Sequence, residues 1–227
     1  KATADDFKVV PNTEAASADL IIFALPDEIQ GEIFHHEILP HLNPNGVLGF
    51  IHGFSIRYKH IDPPAGIGVV MVAPKGPGIT VRQRYLENTG VPALLAVERE
   101  NTTNTARSIA LAWAAGIGSG RTAVIKSTFA DETETVLFGE QAIIVGGLAA
   151  LVRAAYETLV NAGYPPELAY IECCHEVKQV ADILHEKGMS EMMSAISNTA
   201  EMGAYEAMDF LDDEHLRDHL RTILTNI

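Results

Sequence analysis

The sequence predicts an α/β domain with a Rossmann-like parallel sheet, residues 1–127, followed by an all-helical domain, residues 128–227. Three observations predict it. Short apolar runs alternate with helical patterns through the first half of the chain. Each run ends at proline, glycine or charged residues. Strand signal then disappears from about Glu132 onward.

The elements follow in order. Leu20–Leu25 (LIIFAL) is a continuous apolar run between Asp19 and Pro26, as expected of a buried parallel strand. Ile29–Leu39 reads as a helix closed by Pro40. Asn45-Gly46 turns the chain into a strand at Val47–His52, and Gly68–Ala73 and Ala93–Val97 are two more. Thr103–Ala115 reads as a helix ended by Gly116, and Thr122–Ser127 as a strand. Beyond it, Phe138–Asn161 is a long apolar helix ending at Gly163. Pro165–Glu186 is a second helix, with proline in its first turn and Gly188 after its end. Asp212–Ile227 is a third, with two aspartates at its positive end.

Composition limits the partners. A net charge of −14 over 227 residues argues against nucleic acid and anionic membrane surfaces, which need clustered Lys and Arg. It leaves an anionic substrate open, because a bound cation inverts the local field. The two cysteines, Cys173 and Cys174, are adjacent, so no disulfide framework is visible and a cytoplasmic location is expected. The longest uncharged apolar run, Ala142–Val152, is about half of the ~20 residues a membrane span needs. The first residues carry no apolar leader and no initiator Met, which suggests that residues precede Lys1.

Gly116-Ile117-Gly118-Ser119-Gly120 has the look of a dinucleotide loop, but it follows a helix and opens a strand, the reverse of the required context. It is expected to be a helix C-cap and turn. The histidines at 35, 36, 185, 215 and 219 lie among charged residues on helices, as solvated side chains do.

Three features point to chemistry. Glu172 and Glu176, four residues apart, share a helix face with apolar neighbours. Like charges at that spacing repel, and near apolar surroundings a cation would join them. A solvated acidic face has the same spacing. Glu140 stands in the otherwise acid-free FGEQAIIVGG, where it serves either a ligand or the helix dipole. Finally, Asp27-Glu28, His52-Gly53 and Lys75-Gly76-Pro77-Gly78 each follow a strand. Polar groups at one edge of three consecutive strands describe a ligand crevice, though plain loop chemistry also puts such residues there.

The motifs LPDEIQ, HGFSI, VAPKGPG, ETETVLFGEQ, AGYPPELAYIECCHE and ISNTAE together resemble ketol-acid reductoisomerase, in its short class I form, from Leu25 to Glu201. The resemblance implies an enzyme that converts 2-acetohydroxy acids to 2,3-dihydroxy acids in valine and isoleucine synthesis, using Mg²⁺ and NADPH. It assigns metal binding to Glu140, Glu172 and Glu176, and substrate binding to Ser197. Catalysis falls to His52, Lys75 and Glu176, and NADPH contacts to Asp27, Glu28, Ile29, Gln30 and Gly78. It further implies a knotted helical domain and a homodimer, or higher homo-oligomer, in which two chains build each site.

Two departures accompany it. Val136 stands where the family motif has a metal-binding aspartate, with Glu132 one helical turn earlier as the conceivable substitute. The family's opening βαβ unit with its Gly-rich loop has no counterpart before Leu20, and the chain stops short of the family's usual tail. A non-catalytic homologue or fragment that keeps the fold and the dimer surface is the alternative expectation.

Overall fold

Alternate residues of a strand point to opposite faces, so an uninterrupted apolar run needs cover on both sides. The computed structural model describes residues 2–227, and there five strands form one sheet in the order β1-β2-β3-β4-β5, with the covered runs at its centre. The strands are β1 (Leu20–Phe23), β2 (Val47–Phe50), β3 (Gly68–Pro74), β4 (Ala93–Arg99) and β5 (Val124–Lys126). Leu48, Phe50, Val69, Met71 and Ala73 turn to one face, where Phe23, Phe34, Ile38 and Phe129 complete a core. Val47, Val70 and Val72 turn to the other, against Ala106, Ala110 and Ala114. Those three alanines, four residues apart, form one stripe of α5 (Ala106–Gly116).

The sheet is parallel at β1–β2, β2–β3 and β4–β5. It is antiparallel at β3–β4, with Pro74 opposite Ala93, so the parallel arrangement expected from sequence is broken at one junction. The first run also differs from expectation. Only Phe23 of β1 is buried, and Ile22 is exposed, because β1 is an edge strand with β2 as its one partner among the described residues. The glycine-rich segment forms the expected helix end and turn. Gly118 has φ +93°, a left-handed conformation that glycine adopts at little cost, and a 3₁₀ turn at Ser119–Arg121 leads into β5.

The short connections are α1 (Asn12–Ala15), α2 (Asp27–Ile33), α3 (Phe54–Arg57) and α4 (Gly78–Leu86). After β5 come α6 (Phe129–Gly139), α7 (Gly146–Asn161), α8 (Pro166–Tyr170), α9 (Val177–Ser194), α10 (Asn198–Leu211) and α11 (Glu214–Thr225). Among the described residues no strand follows Lys126. Three of the five helices expected from sequence are interrupted by a π-helical turn: Phe34–Ile38, Glu140–Ile144 and Ile171–His175. Such turns insert an extra residue into the ladder and recur at functional sites. Gly188, with φ 80° and ψ 173°, kinks α9 where the second helix was expected to end. The sequence reading contained no helix at Asn198–Leu211, yet α10 forms there, capped by Ser197.

The chain divides into two compact units, one through Thr135 and one from Val136 to Ile227. Lys1, where the first domain was placed to begin, lies outside the described residues. Both core clusters belong to the first unit. In the second, the buried apolar residues among those described are Ala142, Ala169 and Met193. Its helices leave Ile143, Ile144, Val145 and Leu151 exposed. The helical stretch Phe129–Asn161 is 33 residues long, and its most apolar window is almost wholly unburied. Counting only uncharged residues made this stretch look too short to cross a membrane; by length and composition it is long enough.

Candidate functional site

Parallel strands β1, β2 and β3 end at one edge, and the residues that follow them converge there. Asp27 opens α2 after β1, His52 follows β2, and Lys75 follows β3. The group that joins them is Glu132, in the first turn of α6, with 2% of its side chain exposed. Its Oε1 accepts a hydrogen bond from Lys75 Nζ at 2.9 Å. Its Oε2 accepts from the Gly53 N–H at 2.9 Å and lies 2.9 Å from His52 Nδ1. The other ring nitrogen of His52, Nε2, stands 4.0 Å from Asp27 Oδ2.

The close seat of α6 explains why the carboxylate reaches so far in. A methyl group at Gly53 would lie 2.5 Å from Thr133 Oγ1 and 2.7 Å from the Phe129 carbonyl oxygen, so α6 can approach the end of β2 only because residue 53 has no side chain. Phe129 packs edge-on against Phe50, with ring centroids 6.0 Å apart, and anchors the helix start in the core.

The electrostatics follow from burial and pairing. Burial alone would raise the Glu132 carboxyl, but hydrogen bonds from His52, Lys75 and Gly53 outweigh it and hold it below the usual carboxylate value. Burial works to lower His52, and the hydrogen bond and charge of Glu132, with the charge of Asp27, outweigh that and raise it; Lys75 opposes. Asp27 is raised, first by burial and then by the charges of Glu28 and Glu132, against the pull of His52 and His60. When His52 is protonated, the edge is a row of alternating charge, Lys75–Glu132–His52–Asp27.

The structure places the other sequence-derived residues as follows. Glu28 and Ile29 are exposed in the first turn of α2, and Gly78 starts α4 in open space. Gln30 does not face outward. It is buried, and its amide is committed to protein groups. Glu140 and Glu172 sit in π-helical turns and Glu176 at the start of α9, all three exposed. The Ser197 hydroxyl oxygen accepts the Ala200 N–H at 3.2 Å as the cap of α10, which leaves its own proton to donate. Cys173 and Cys174 are free thiols.

Mg²⁺ asks for near-octahedral oxygen ligation. Among the described residues no group of three His, Cys, Asp or Glu stands close enough to hold an ion. Glu140, Glu172 and Glu176 of one chain therefore do not form a metal centre by themselves. Glu132 is poorly suited to replace a ligand at the position of Val136, since Lys75, His52 and the Gly53 N–H take three of its acceptor positions. From sequence, Glu132 is part of an acidic helix start and a conceivable substitute metal ligand, not a partner of His52 and Lys75. Its partners lie 57 and 80 residues away, and no local pattern announces contacts of that span.

Residues 1–123 match the family described as acetohydroxy acid isomeroreductase, NADPH-binding domain. Residues 129–227 match ketol-acid reductoisomerase, C-terminal domain. The chain is 48% identical to a ketol-acid reductoisomerase (NADP(+)) of Campylobacter concisus (strain 13826), over 100% of this chain and 67% of that protein. A solved NADH-preferring ketol-acid reductoisomerase from an uncultured archean is similar at TM-score 0.93 and 41% identity, over 99% of this chain and 68% of that one. A putative oxidoreductase from Jannaschia sp. CCS1, at TM-score 0.67 and 13% identity, shares the fold alone. Two family domains in order and near-half identity across the whole chain place this protein in the ketol-acid reductoisomerase family.

Proposed function

We propose that the protein carries out the family reaction: alkyl migration in a 2-acetohydroxy acid, then reduction to a 2,3-dihydroxy acid in valine and isoleucine synthesis, with Mg²⁺ and NADPH. The observation that carries this reading is the buried Glu132 carboxylate holding His52 and Lys75 at the strand edge. With Glu132 ionised, His52 Nδ1–H donates to it, and Nε2 is the atom left to accept or return a proton. Lys75 gives one N–H to Glu132 and keeps the others for an oxygen of the substrate. Glu132 thus orients two proton-handling groups from a buried position, while His52 and Lys75 stay partly open to the edge.

Asp27, Glu28 and Ile29 at the start of α2, and Gly78 at the start of α4, would hold NADPH. Both helices begin at this edge without a side-chain cap, which leaves first-turn N–H groups for a ligand. NADPH, when bound, supplies hydride. Because the Gln30 side chain is buried, a contact from that residue would come from its backbone. Because one chain does not gather the metal-binding carboxylates, Mg²⁺ would need those of a second copy, and no catalytic step is assigned to it. A homodimer through the helical unit fits the scarcity of buried apolar side chains there, since a second copy would cover Ile144, Val145 and Leu148.

A second reading, a homologue that has lost turnover, is favoured by Val136, which offers no oxygen to a cation. The two are separated by following NADPH consumption by the purified chain with a 2-acetohydroxy acid and Mg²⁺. Consumption dependent on both additions supports catalysis. Saturable NADPH binding without consumption supports the second reading.

A further inference from the structure

The LPDEIQ segment assigns Gln30 to ligand contact, yet the structure turns its amide inward, and its partners form a chain that ends at His52. Gln30 is 3% exposed. Its Nε2 donates to the Leu25 carbonyl at 2.7 Å and to Asp27 Oδ1 at 3.1 Å. Its Oε1 accepts from Ser55 Oγ at 2.9 Å, and Ser55 is wholly buried. One side chain therefore joins the end of β1, the start of α2 and the start of α3, the segment that immediately follows His52-Gly53. Asp27 is held through Oδ1, which leaves Oδ2 facing His52 Nε2 at 4.0 Å.

We infer that Gln30 is a positioning residue: its buried amide fixes the Asp27 carboxylate beside His52 Nε2, so that this imidazole lies between two carboxylates, Glu132 on one nitrogen and Asp27 on the other. A buried amide suits the task. It donates to two oxygens and accepts from a hydroxyl, and it adds no net charge to the site it arranges. Glu132 is fixed from below by Lys75 and the Gly53 N–H, but Asp27, partly exposed at the start of a short helix, would otherwise move among rotamers. The charged groups around His52 are Glu132, Asp27 and Lys75, with Glu28 and His60 acting on Asp27. Holding Asp27 in place favours a proton on Nε2, the nitrogen that the proposed function uses. The inference rests on that reading only for its use in catalysis; the geometry itself is open to a test that needs no turnover.

The test is the titration of His52 in the 227-residue chain labelled with ¹⁵N-histidine, followed by long-range ¹H–¹⁵N correlation and assigned among the nine histidines with His52→Gln. Asp27→Asn should shift the His52 midpoint downward, because it removes a facing negative charge. Gln30→Met, which keeps length and burial but cannot hold the carboxylate, should shift it in the same direction. In the Asp27→Asn background, Gln30→Met should add little or nothing, since the two act through one contact. Ser55→Ala, which frees the other end of the amide, should give a smaller shift of the same sign, and decides the matter if Gln30→Met does not fold. An unmoved midpoint in Asp27→Asn, or a Gln30→Met shift that persists in full beside Asp27→Asn, overturns the inference. Neither result bears on whether the enzyme turns over, so failure here is distinct from failure of the proposed reaction.

Discussion

Glu132 carries more of the site than any other single residue. With one carboxylate it satisfies a lysine, a histidine and a backbone N–H, at 2% exposure. Glu132→Gln keeps the shape but removes the charge that pairs with Lys75 and faces His52. Because Lys75 is one-third exposed, water recovers part of the loss, and a cost of ~1.5–3 kcal/mol is expected in chemical denaturation. The same change should lower the His52 midpoint, since Glu132 is its main raising influence; a midpoint unchanged in Glu132→Gln would show that the contact contributes nothing in solution. Gly53→Ala is the complementary change. The added methyl meets Thr133 Oγ1 and the Phe129 carbonyl well inside contact distance, so α6 must move outward. We expect a loss of ~1–3 kcal/mol and a weakened Glu132–His52 pairing, read as a lowered melting temperature together with a lowered His52 midpoint.

At the scale of elements, α5 seats its alanine stripe on the sheet with Ala106, Ala110 and Ala114 fully buried. Only small side chains let a helix lie that close, so Ala110→Leu should overpack the interface and cost ~1–3 kcal/mol, whereas Leu111→Ala on the exposed face should cost far less. Equal losses in urea midpoints would contradict the packing. The π-helical turns at Glu140–Ile144 and Ile171–His175 carry two of the glutamates assigned to metal, each turn displacing what a regular helix would present. Val136 bears on the same assignment. Val136→Asp restores an oxygen ligand and a negative charge, and calorimetry should then show tighter Mg²⁺ binding, weakened again by Glu172→Gln or Glu176→Gln. Unchanged affinity in Val136→Asp would remove this helix from the metal site.

For the molecule as a whole, the pH dependence of stability has a definite sign. Glu132 is held below its ordinary value, so its contribution is present above the usual carboxylate range and is lost as pH falls through the depressed value. His52 is raised, so its contribution is full below about 6.5 and is lost as pH rises through the raised value. Asp27 is raised, so it has the sign of His52 and weakly offsets the acidic loss from Glu132; it is partly exposed, which keeps the effect small. Stability of the first unit should therefore decline on both sides of a mildly acidic window. His52→Gln should flatten the alkaline decline in urea midpoints measured across pH, and a decline that survives the substitution would assign it elsewhere. The second unit makes a separate demand: its apolar helix surface, around Ile144 and Leu148, lacks cover within the chain. Sedimentation should give a dimer at micromolar concentration, and Leu148→Lys should shift it toward monomer; a wild-type monomer would refute the proposed dimer surface.

The sequence by itself determined the class of each segment. Strand runs, the helical second half, the glycine turn at 116–120 and the edge positions of Asp27, His52 and Lys75 were all legible, because apolar periodicity and turn chemistry act over a few residues. The tertiary structure alone decided what those positions do. The antiparallel β3–β4 junction, the partner of Glu132 and the inward turn of Gln30 depend on contacts between distant segments. A glutamate in a helix's first turn looks the same in sequence whether it faces water or bridges a buried histidine and lysine. Only the approach of α6 to β2, permitted by the missing side chain at Gly53, makes it the second.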